Sequence, residues 1–128
     1  EGWSWREVGD VVEVGGGSTP STADARFWDG PIHWATPKDL APLKFPVLVD
    51  TERKLTKEGL NETSSGLLPA GTLLLSSRAP IGYLAISEVP VSVNQGFITM
   101  QCHGNPSNLF MLQWCRSNHD AIVARAGG

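Results

Sequence analysis

Hydrophobic and polar positions along this chain rarely hold one period for long, and the short runs predict short elements. "DVVEV" (10–14) is a β-branched run that predicts a strand, ended by Gly15-Gly16-Gly17. Residues 18–30 predict a long loop, of a length that compact domains usually reserve for function. "TPKD" (36–39) predicts a helix start: Thr36 caps, Pro37 suits the first helical position, and Asp39 lies in the favourable first turn. Pro42 keeps that helix short. "PVLVD" (46–50) predicts a strand and "LTKEGLNE" (55–62) a helical turn or two. "TLLLSS" (72–77), "IGYLAI" (81–86), Val89–Val93 interrupted by Pro90, and "GFITMQC" (96–102) predict further strands. From Ser107 the period changes. Leu109, Leu112, Cys115, His119 and Ile122 follow helical spacing and predict a C-terminal helix with Ser107 as its cap. The pattern describes one α+β domain over residues 1–128, with no internal repeat or linker.

The predicted loop breaks its own rule. It is rich in Pro, Gly, Ser and Thr, yet Phe27, Trp28, Ile32 and Trp34 lie in or beside it. Large aromatics next to an irregular segment can pin it to the body of the domain, and a pinned loop loses less entropy on meeting a ligand. The alternative is a stacking platform for bases. Pinning is the expected role of at least one of Trp28 and Trp34.

Composition narrows the class. A chain of 128 residues with 41% apolar and 18% charged residues can bury a core without staples. Fourteen Gly and nine Pro agree with many turns. The net charge of −3 argues against unselective capture of nucleic acid. The charge is uneven, however: residues 1–36 carry −4, residues 37–80 carry +1 and the remainder balance. A polyanion would favour the middle third, where Lys38, Lys44, Arg53, Lys54 and Lys57 stand. Two cysteines make no disulfide framework, so a reduced, cytoplasmic setting is expected. No apolar run reaches membrane-spanning length, and no charged-then-apolar leader opens the chain.

Candidate chemistry is thin. "GGGSTP" (15–20) follows a strand as dinucleotide loops do, but Pro20 replaces the third glycine and no helix follows at once, so a tight turn is the better reading. Cys102, His103, Cys115 and His119 lack a C-x-x-C knuckle, and no metal site is expected. His33 and Asp39 are the nearest approach to a catalytic pair, without a nucleophile elbow. Arg78, between a strand end and an Ala-Pro corner, has a fork suited to phosphate or guanine. Asn94 and Gln95 either cap a turn or pair with adenine.

In order along the chain, "GGGSTPS" (15–21), "FWDGPIHWATPKDL" (27–40), "LTKEGLNETSSGLLPAGTLLLSSRAPIG" (55–82), "NQGF" (94–97) and "FMLQWC" (110–115) resemble the target recognition domain of a type I restriction-modification specificity subunit. The resemblance covers nearly the whole chain. It implies a twisted, partly barrel-like, mostly antiparallel sheet with flanking short helices. It implies a non-catalytic module that reads one half of a split site on double-stranded DNA. Such a subunit carries a second recognition domain and coiled-coil spacers, which are expected outside these residues. It docks methyltransferase subunits using S-adenosylmethionine and restriction subunits using ATP and Mg²⁺; the chain itself is expected to bind no cofactor.

On this reading the small polar groups of the loop, Ser18, Thr19 and Ser21, face DNA together with Thr36, Ser64, Ser65, Arg78, Asn94, Gln95 and the five cations of the middle third. Motifs shared among members that read different sequences are framework or phosphate-facing, so residues 41–54 and 61–66 are the better candidates for base readout. The competing expectations are a small hydrolase or transferase using His33 and Asp39, and a protein-interaction module using the aromatic loop 18–34.

Overall fold

The computed structural model describes residues 12–79 and 81–102, together with Gln113. The chain runs β1 (Val12–Gly15), a 3-10 turn (Ala25–Phe27), β2 (Trp28–Ala35), α1 (Pro37–Leu40), β3 (Val47–Leu48), β4 (Arg53–Leu55), α2 (Lys57–Asn61), β5 (Leu73–Ser76), β6 (Leu84–Ser87), β7 (Val91–Val93) and β8 (Phe97–Cys102). The helix expected from Ser107 lies outside the described residues, apart from Gln113, which is helical.

The α+β fold of short, mostly antiparallel strands and short helices is as expected; among the described residues the strands lie in two sheets. One has the order β1-β8-β5-β6-β3 and the other β4-β2-β7. Pairing is antiparallel except for β2 with β7 and β3 with β6. A core of Ala35, Leu40, Leu48, Leu68, Leu74, Ala85, Val91, Val93 and Phe97 joins residues from both sheets. Its apolar surface is the main stabilising term between the sheets. All four residues of β5 are buried, which is why this central strand reads as a continuous apolar run rather than an alternation.

Both helices follow their caps. At α1 the Asp39 carboxylate accepts from the Thr36 backbone N–H at 2.8 Å and the Thr36 hydroxyl at 3.4 Å. At α2 the Thr56 hydroxyl accepts from the Gly59 N–H at 3.1 Å. Each cap satisfies backbone donors that a helix start leaves unpaired.

The main departure is β2. The loop expected over 18–30 ends earlier, and Trp28–Ala35 is the central strand of the smaller sheet. Its pattern is hidden by Asp29-Gly30-Pro31. Asp29 has φ +64°, and both Trp28 and Ile32 align with Leu55, so the intervening residues bulge out of the ladder. Glycine is required at 30 because a Cβ there would lie 2.4 Å from the Leu55 carbonyl oxygen. The partner strand β4, absent from the sequence expectation, is only three residues long.

Candidate nucleic-acid interface

The segment after β1 is tied down at several points. Gly17 passes so close to the end of β7 that a Cβ would sit 2.1 Å from the Val93 carbonyl oxygen. The Ser18 N–H then donates to that same carbonyl at 3.1 Å. "GGGSTP" is therefore a close backbone approach, not a phosphate loop.

Two indoles complete the fastening. Trp34 Nε1 donates to the Ser18 carbonyl at 3.2 Å, and Trp28 Nε1 donates to the Ser21 carbonyl at 2.9 Å. The rings meet edge to face, with centroids 5.0 Å apart at 78°, over Leu55, and Phe27 and Ile32 flank them. Trp28 is 6% exposed and Trp34 3%. Pinning holds for both tryptophans. Neither offers a ring face to a base, and the proposed partner-binding aromatic loop is corrected with it: the aromatics point inward.

Several expected site residues converge beside this anchor. The Ser64 N–H donates to Ser18 Oγ at 2.8 Å, and Thr19 Oγ1 donates to Gln95 Oε1 at 2.6 Å. The turn carrying Gln95 is capped from within, since Asn94 Oδ1 accepts from the Gly96 N–H at 2.8 Å. The Gly96 carbonyl accepts from the Ser77 and Arg78 amides, which brings the end of β5 to the same turn. The start of α1 is there too, because a Cβ on Gly96 would lie 2.9 Å from Pro37 Cγ. Thr19, Thr36, Arg78, Asn94 and Gln95 thus share one rim, reached from four separate stretches of chain. Ser65 sits lower, its hydroxyl 2.9 Å from the Gly66 carbonyl and 3.0 Å from Ser92 Oγ.

The five cations of the middle third do not share one face. Arg53 aligns with Trp34 and Lys54 with His33, and neighbours along a strand point to opposite sides. Arg53 lies over Trp28, its Cζ 3.9 Å from the ring centroid. Lys54 Nζ is held on the other side by Asp50 Oδ1 at 2.9 Å and the Thr51 carbonyl at 2.8 Å. That ammonium, with the Thr51 N–H, holds the Asp50 carboxyl below its usual range. Lys54 is therefore committed within the protein. Lys38, Lys44 and Lys57 are exposed and, like Arg53 and Arg78, lack an ion-pair partner among the described residues. A second low carboxyl, Asp24, is lowered by hydrogen bonds from the Arg26 side chain and N–H.

The catalytic alternative does not assemble. Asp39 spends its carboxylate on the α1 cap and on the Glu52 N–H at 3.0 Å. His33 Nδ1 instead faces Thr51 Oγ1 at 3.3 Å and Asp50 Oδ1 at 3.4 Å. Thr51, 4% exposed, is the junction that sequence reasoning missed: its hydroxyl accepts from the Trp34 N–H at 3.2 Å and donates to the Arg53 carbonyl at 2.8 Å. Nothing in a lone threonine signals that role. No metal-binding group of three ligands exists among the described residues, and His103, Cys115 and His119 lie outside them.

Comparison with known proteins agrees with this architecture. Residues 1–123 match the family described as the type I restriction modification DNA specificity domain. The type I restriction enzyme MjaIX specificity subunit of Methanocaldococcus jannaschii is 47% identical over 95 residues, covering 74% of this chain and 22% of that protein. The EcoR124I/EcoR124II specificity subunit of Escherichia coli is 32% identical over 107 residues, covering 79% of this chain and 26% of that protein. Among solved structures, the HsdS subunit from Thermoanaerobacter tengcongensis shares the fold, with a TM-score of 0.66 at 14% identity over 91% of this chain and 27% of that one. The chain spans about a quarter of the length of these relatives. Motif order and fold lead to one conclusion: the chain belongs to the type I restriction modification DNA specificity domain family.

Proposed function

We propose that this chain reads one half of a bipartite sequence in double-stranded DNA, as a recognition domain of a longer specificity subunit. The observation that carries the reading is the rim around Thr19, Thr36, Arg78, Asn94 and Gln95, set beside a loop that two buried indoles hold rigid. A surface of hydroxyls and amides around Arg78, which has no ion-pair partner among the described residues, presents the donors and acceptors that base edges and phosphates require. Its preformed shape limits the ordering entropy lost on binding.

The domain supplies recognition and not catalysis, in keeping with its family. Chemistry then belongs to partners: methyltransferase subunits that use S-adenosylmethionine, and restriction subunits that use ATP and Mg²⁺. The net charge of −3 fits this division, because positioning on the phosphate backbone can be shared with those partners. No helix among the described residues is long and apolar enough to cross a membrane, and a cytoplasmic setting beside the chromosome completes the reading.

Methylome sequencing of the source organism, with and without the full-length gene, tests it. The expected result is loss of one bipartite methylation motif when the gene is removed. An unchanged methylome, in cells where the gene is expressed and its partners are present, would refute it.

A further inference from the structure

The geometry points to Arg53 as a base-reading residue that takes a guanine edge, through a guanidinium whose plane is set by Trp28. The inference rests on the reading of the chain as a DNA-recognition domain and names the side chain that discriminates.

Arg53 opens β4, and its side chain lies on the face of the smaller sheet that carries the tryptophan pair. Its Cζ stands 3.9 Å from the Trp28 centroid, the separation of a guanidinium resting on an indole. Trp28 cannot turn away beneath it. The indole N–H is bonded to the Ser21 carbonyl, its ring meets that of Trp34 edge to face, and it is 6% exposed. The base of the arginine is fixed as well, since the Arg53 carbonyl accepts from Thr51 Oγ1. The guanidinium is thereby held at its face and at its backbone, while the residue remains exposed.

The ring centroid lies 3.9 Å from Cζ on one side of the guanidinium. No carboxylate or carbonyl among the described residues takes the guanidinium N–H groups. The neighbouring cation shows the contrast, because Lys54 is tied to Asp50 and Thr51. A phosphate contact needs only a nearby positive charge, which a mobile lysine supplies. A guanine O6/N7 pair needs two donors in a fixed plane, and a stacked arginine provides that geometry.

The test uses the full-length subunit assembled with its methyltransferase subunits. Duplexes carrying the methylome-derived target are substituted at one base pair at a time, and binding is measured by fluorescence anisotropy across a salt series. Two variants are compared, Arg53→Lys, which keeps charge and stem, and Arg53→Ala; circular dichroism confirms that each is folded. The expected result is that both variants lose discrimination at the same single G·C position, by about ten- to a hundredfold, while Arg53→Lys keeps the wild-type salt dependence. Two results would overturn the inference. One is a uniform weakening over all sequences by Arg53→Ala, with a log–log salt slope lower by about one unit and restored by Arg53→Lys, which marks a phosphate contact. The other is full discrimination retained by both variants. A wild-type complex that shows no sequence preference would instead strike at the proposed function itself, and so is distinguishable from either.

Discussion

Replacing Trp34 with phenylalanine isolates the anchor of the loop. Phenylalanine keeps an aromatic ring in the cluster with Trp28 and Leu55 but has no N–H. The 3.2 Å bond to the Ser18 carbonyl is lost, which costs about 1 kcal/mol. The smaller ring leaves a void in a site only 3% exposed, and the lost contacts add about 1 kcal/mol more. The expected total is about 2 kcal/mol. Trp34→Ala also forfeits the edge contact with Trp28 and is expected to cost about 3–5 kcal/mol. Urea unfolding followed by circular dichroism measures the change, provided the denaturant slope is unaltered. Amide exchange gives the local readout. The Ser18 N–H, bonded to the Val93 carbonyl, is expected to exchange at least about tenfold faster in Trp34→Phe, a factor that corresponds to ~1.4 kcal/mol. A loss below about 0.5 kcal/mol with Ser18 exchange unchanged would show that the other ties, from Val93 and Ser64, hold the loop unaided.

Gly30→Ala would push a methyl group into the Leu55 carbonyl and the Thr56 Cα, both backbone, so a destabilisation of about 2 kcal/mol or more is expected in the same unfolding assay; a neutral result would mean that β4 can move. Asp39→Ala removes the α1 cap and the tie to Glu52, and is expected to cost about 2 kcal/mol while the assembled complex still methylates its target; loss of methylation by a folded variant would return Asp39 to the chemistry. The Asp50 carboxyl is depressed in the fold by Lys54, so its stabilising contribution is full above the unfolded value of about 3.9 and is lost as pH falls through the lower folded value. An NMR titration should place its midpoint below that of a free aspartate and move it upward in Lys54→Met; equal midpoints in the two proteins would dismiss the pair.

Local signals carried much of this protein. The α1 start was legible because Asp39 accepts from the Thr36 N–H three residues back and Pro37, which has no N–H to leave unpaired, suits the first helical position. The α2 turn was legible in "LTKEGLNE" (55–62), but its cap, the Thr56 hydroxyl accepting from the Gly59 N–H, emerged only in the structure. Strands β5 to β8 were legible as apolar runs, because burial demands that composition whatever the topology. The order of motifs sufficed to place the chain in its family.

Tertiary structure decided the rest. Strand β2 was concealed by Asp29-Gly30-Pro31, which looks like a loop but is a bulge made necessary by the approach of Leu55. The rim depends on contacts between residues far apart in sequence, such as Thr19 with Gln95 and Ser18 with Ser64. Whether a cation is free or spent was equally invisible. Arg53 and Lys54 are neighbours in the chain, yet the alternation of β4 sends one onto Trp28 and the other to Asp50. Sequence patterning records which groups must be buried or capped, because those demands are local. It does not record which surface groups meet, because that follows from how two sheets pack and from the register of their strands.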